Sequence, residues 1–160
     1  VRKNPLPILV LLVLTCCAQS PHGGSVYTPT EGPAPELAAS ACAVTLEWYG
    51  EQTGWAAGTC PDVLWVEPGM TNADGVVVAG ETAGPLEVIV VWRPERSVAK
   101  SALAHEVLHA LEWQRTGDPD HYHAGLLWSG LSALTCQLAL LEPVCADGTV
   151  EPPTCPWCGE

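Results

Sequence analysis

The chain has 160 residues, eight of them cysteine, and a formal net charge of −12 at pH 7. Eighteen acidic side chains against six basic ones leave too little positive charge to hold a phosphate backbone, which argues against nucleic acid as a partner. The same balance favours solubility and disfavours anionic partners without naming a substrate.

In chain order, residues 1–17 read as an export signal. Arg2 and Lys3 form a charged start, residues 6–14 are apolar but for Pro7, and small or thiol residues follow at Thr15-Cys16-Cys17-Ala18. The stretch is too short to remain in a bilayer as a spanning helix. Leu14-Thr15-Cys16-Cys17 resembles a bacterial lipobox, which implies a lipid on Cys17 and a place in the cell envelope, periplasm or outer membrane. Ordinary cleavage after Ala18, and secretion, is the alternative. Removal or anchoring through Cys17 leaves six cysteines, Cys42, Cys60, Cys136, Cys145, Cys155 and Cys158. An even set suits disulfides in an oxidising compartment. Residues 18–40, with Pro29, Pro33 and Pro35, read as a flexible Pro/Gly/Ser linker in which His22 has no role. Residues 41–160 make one small domain.

Four strand-like runs open that domain, at 42–49, 63–66, 75–79 and 86–92, separated by Pro61, Pro68-Gly69, Gly80 and Gly84-Pro85. The last carries Val88-Ile89-Val90-Val91-Trp92, the β-branched content of a well-buried strand. Residues 97–114 are rich in Ala and Leu and free of Gly and Pro, and so read as a helix, with Gly117 as its stop and Pro119 just beyond. A second helix follows, where Leu127, Leu131, Leu134, Leu138 and Leu141 form one apolar stripe ended by Pro143. The expected fold is α+β: a short mixed sheet of about four strands, a site-bearing helix, and a second helix packed beneath it.

The first of these helices carries His105-Glu106-Val107-Leu108-His109. Positions i and i+4 share one helical face, so both imidazoles can reach one metal ion. Glu106 points about 100° away, out of ligand range and well placed to take a proton from a metal-bound water. Catalytic zinc usually has three protein ligands and one open position. The third is sought in Gly117-Asp118-Pro119-Asp120-His121-Tyr122-His123, a turn able to double back towards the helix. Asp118 shapes the turn. Asp120 either ligates or orients a ligating ring. His121 and His123 point to opposite sides, and His123 is preferred because the next helix would hold it. Glu112 lies seven residues after His105, but roughly 10 Å along the axis, and is read as a satisfied or solvated helix glutamate.

These residues resemble the zincin superfamily of metallopeptidases, which share His-Glu-x-x-His on an active-site helix; the resemblance covers about a quarter of the chain. It implies a zinc-dependent peptidase acting on peptides or proteins outside the cytoplasm, with Zn2+ on His105, His109 and His123 and Glu106 as general base. It also implies that a strand near 86–92 lines the substrate cleft, an ordinary core strand being the alternative. The departures bear on subfamily. Arg115 stands where metzincins have a third histidine, and Met70 precedes the helix. A gluzincin ligand would have to be Glu142, and an aspzincin ligand Asp120. The chain is most similar in these features to small secreted bacterial zincins with a His or Asp third ligand. The rival reading is a non-catalytic zincin-like metal-binding or structural domain of a cell-surface lipoprotein.

The terminal Cys155-Pro156-Trp157-Cys158 lacks the second pair that a zinc ribbon needs, and it sits two residues from the end of the chain rather than at the head of a helix. It reads as structural, bonded internally or to Cys136 and Cys145.

Overall fold

A computed structural model describes residues 24–94, 97–120, 123 and 126–141. The chain runs α1 (Pro35–Thr53), β1 (Asp62–Val66), β2 (Gly80–Gly84), β3 (Glu87–Val91), α2 (Leu103–Thr116) and α3 (Leu131–Ala139), with 3-10 turns at Val98–Lys100 and Leu126–Gly130. The class is mixed α+β, with a three-stranded sheet in the order β1-β3-β2. No described helix is long and apolar enough to cross a membrane. The expected signal at 1–17 with Cys17, and residues Cys145, Cys155 and Cys158, lie outside the described residues.

Residues 42–49, expected as a strand, are helical. The buried positions explain why: Ala41, Cys42, Thr45, Trp48 and Tyr49 follow the spacing of one helical face, not alternation. The preceding Pro35-Glu36 suits a first turn, since Pro loses nothing at N1 and Glu36 faces the positive helix end. Gly54, at φ 71°, closes the helix with its N–H on the Gly50 carbonyl. A Cys42–Cys60 disulfide then ties α1 to the approach of β1. The helix begins inside the span expected as linker, and that span is further structured upstream. Thr30 N–H donates to Trp65 O, and Glu67 N–H to Thr28 O, each at 2.9 Å, so residues 28–30 cover the outer edge of β1.

The run 75–79 is also not a strand. Asn72 Oδ1 accepts the N–H groups of Asp74 and Val76, winding a turn through Gly75 at φ 76°. Pairing there shrinks to a bridge between Val77 and Thr71. The strand begins at Gly80 instead and runs antiparallel to β3, which pairs in parallel with β1. β3 is therefore the central strand. Its Val88 and Val90 join Leu103, Val107, Leu108 and Leu111 of α2 and Trp48 and Tyr49 of α1 in the main core. Ile89 faces the other way, onto Val66 and Met70.

α2 lies between α1 and the sheet, which explains why it is buried nearly all round. It starts six residues later than the sequence suggests. Ser101 Oγ donates to Val98 O at 2.6 Å and accepts the Leu103 N–H at 3.2 Å, and this local bonding competes with helix over 97–102. The expected stop is present: Gly117, at φ 82°, donates to Trp113 O. The expected second helix is broken at Gly130, where an added Cβ would stand 2.7 Å from the Trp48 ring. Leu127, Leu134 and Leu138 still reach the core, but α3 packs on α1 and the Val98–Lys100 turn more than on α2.

Candidate metal centre

His105 and His109 sit one turn apart on α2, with Nε2 atoms 3.2 Å apart. His123 brings its Nε2 to 3.0 Å from that of His109. One ligand atom from each lies within 4.8 Å of the others. The third histidine arrives through a tight turn. Asp118 Oδ1 accepts the Asp120 N–H at 2.8 Å, and the His123 N–H returns to Asp120 O at 2.9 Å. Asp120 and His123 both take left-handed φ values, 51° and 53°. Such conformations are sparsely populated outside glycine and persist where the surroundings impose them.

The proton positions follow from His109. Its Nδ1 lies 2.5 Å from the Pro119 carbonyl, which can only accept, so Nδ1 carries the hydrogen and Nε2 is left with one lone pair. That lone pair faces two other imidazole nitrogens, and it can accept a strong hydrogen bond from one of them at most. A shared cation satisfies all three nitrogens at once. Tetrahedral zinc with Zn–N of about 2.0–2.1 Å spaces its ligands ~3.3 Å apart, close to the two separations from His109 Nε2, 3.2 Å to His105 and 3.0 Å to His123. Burial, reinforced by His109 and His123, pushes His105 down to about 4, so it is neutral at pH 7 and competent to ligate. The residues therefore fit a metal ion, and three imidazoles suit zinc, copper, iron or nickel.

Glu106 points to the sheet. It is 7 % exposed, and Thr82 Oγ1 of β2 lies 2.9 Å from its Oε2. Burial raises its carboxyl to about 7; the Thr82 bond opposes that rise, and Glu81 adds to it. Gly80 is the other β2 contact. A Cβ there would lie 2.7 Å from Glu106 Cγ and 2.8 Å from Oε1, so only glycine lets the strand approach this closely.

Trp128 packs against all three histidines, with ring centroids 5.1, 4.4 and 4.3 Å from those of His105, His109 and His123. Its Nε1–H donates to Asp120 Oδ2 at 2.7 Å. Asp120 is thus no member of the converging ligand set; its carboxylate anchors the indole. Glu112 is satisfied, both its oxygens accepting from Arg115 at 2.8 and 2.9 Å. His121 and Glu142 lie outside the described residues. Thr82, Gly80, Trp128 and the Pro119 carbonyl are the contributors that sequence reasoning missed, and no pattern in the chain marks them. No protein-family model, curated protein or solved structure matches this chain.

Proposed function

We propose that the chain is a zinc-dependent peptidase of the zincin kind, in which His105, His109 and His123 hold the metal and Glu106 is the general base. The observation that carries this reading is the convergence of three imidazole nitrogens within 4.8 Å of one another, two of them from a helix that also bears a buried carboxylate. Zinc bound there would supply a Lewis acid that polarises a scissile carbonyl and makes water acidic near neutral pH. Glu106, lifted to about 7, would suit taking a proton from an attacking water and giving it to the leaving amine. β2 stands at the edge of the sheet beside Glu106, where an extended peptide can add by main-chain pairing. The central position of β3 makes it a core strand, so this role passes to β2.

The Cys42–Cys60 disulfide supports a place outside the cytoplasm, in keeping with an export signal and a lipid on Cys17. The test is metal analysis of the purified chain, followed by cleavage of a mixed peptide library with and without chelator. About one zinc per chain, with cleavage lost on chelation and in Glu106→Gln, is the expected result. The second reading, metal binding without hydrolysis, is favoured by the packing of Trp128 on all three rings. Bound zinc with no cleavage under any condition would select it.

A further inference from the structure

A cavity of about 280 Å3 opens where β2 and α2 begin, lined among others by Ala79, Trp92, Arg93, Lys100, Ser101 and Ala102. Ala79 precedes Gly80, which touches Glu106, and Ala102 caps α2 three residues before His105. At a rise of about 1.5 Å per residue, Ala102 in the cavity wall is within one helical turn of His105. Its charge is unusual for this protein. The whole chain has six basic residues, and two of them, Arg93 and Lys100, line this cavity. Arg93 and Lys100 are both exposed at the cavity, and among the described residues neither is ion-paired.

Resting on the peptidase reading, we propose that this cavity is a specificity subsite for a carboxylate of the substrate, either an acidic side chain or the chain end. Two unpaired cations beside an indole can hold a carboxylate by charge-assisted hydrogen bonds while its aliphatic stem packs on Trp92. The volume lies near the ~300 Å3 lower bound of ligand pockets, room for a side chain or a terminus. The strong negative charge of the protein does not cancel this attraction. At physiological salt the Debye length is about 8 Å, so distant carboxylates are screened while the two cations act at contact.

The test uses the zinc-loaded full chain and capped peptides that differ only by Glu against Gln at each position, or by a free against an amidated C-terminus. Cleavage is read by mass spectrometry, and binding by calorimetry on Glu106→Gln. A preference of about tenfold for the carboxylate is expected at one position, in both readouts. It should fall below about twofold in Arg93→Gln/Lys100→Gln, survive in Arg93→Lys/Lys100→Arg, and shrink severalfold in the wild type between low and high salt. A Glu effect assigns the group to a side chain, and an amidation effect assigns it to the terminus. Equal handling of Glu and Gln and of both termini by the wild type, or a preference undiminished in the double Gln variant, overturns the subsite. Binding preference without cleavage upholds the subsite and removes the hydrolase reading; cleavage without preference does the reverse.

Discussion

The Thr82 hydroxyl lies 2.9 Å from Glu106 Oε2 and 3.0 Å from the Glu106 carbonyl oxygen. A hydroxyl has one proton to donate and lone pairs to accept with. When Glu106 is ionised, Thr82 donates to its carboxylate. When Glu106 is protonated, the carboxyl donates to Thr82, whose own proton turns to the carbonyl. One side chain thereby satisfies the buried glutamate in both states, which the proposed general-base role would require.

Thr82→Val should therefore move the Glu106 titration further above its value of about 7, because the bond that favours the ionised form is lost while burial stays. Thr82→Ser should leave it near its place. Carbon-13 NMR of the glutamate carboxyl in the metal-free protein measures this, and a Val variant that titrates with the wild type would refute it.

Stability against pH offers a second check. Glu106 is raised when folded, from 4.5 to about 7, so between those values the folded state holds the extra proton and stability falls as pH rises. His105 is lowered, from 6.5 to about 4, so between those values the unfolded state holds the extra proton and stability rises with pH. The two trends oppose one another from about 4.5 to 6.5. Removing one exposes the other: metal-free Glu106→Gln should gain Tm across this window more steeply than the metal-free wild type. Parallel melting profiles would count against the Glu106 assignment, and a flat profile in the variant against that of His105.

The ligand set predicts graded losses of metal. His123→Ala should release zinc about as readily as His109→Ala, since each removes one of three donors. Asp120→Ala should weaken affinity by roughly 10- to 100-fold, the penalty for removing outer support, because it frees Trp128 and loosens the turn that delivers His123. Competition titration with a chromogenic chelator measures all three. An Asp120→Ala protein with wild-type affinity would show that the indole anchor is idle.

Gly80→Ala separates metal binding from chemistry. Its methyl group would meet Glu106 side-chain atoms at 2.7 to 3.0 Å, and overpacking of this kind costs about 1–3 kcal/mol. Zinc content should stay near wild type while peptide cleavage falls at least tenfold. Full activity in this variant would mean that Glu106 relaxes without leaving its working position.

Some of this molecule is decided within single segments, and there the order of residues is enough. The i, i+4 spacing of His105 and His109 places both rings on one face of any helix containing them, and Gly117 stops that helix because it tolerates a left-handed φ. The apolar run at 86–92 needs burial on two faces and becomes the central strand. Residues 42–49 lacked so local an answer. The same side chains can be read as alternating or helical, and packing of Trp48 and Tyr49 against α2 selects the helix. The break at Gly130 depends on Trp48, more than 80 positions away. The place of His123 before a helix favours it over its neighbours, but its meeting with His109 depends on two left-handed residues in the turn. The pairing of Thr82 with Glu106 bridges 24 residues between a strand and a helix. Contacts of that range are set by how the elements stack, and only the tertiary structure joins Glu106, its hydroxyl partner and the indole over the histidines.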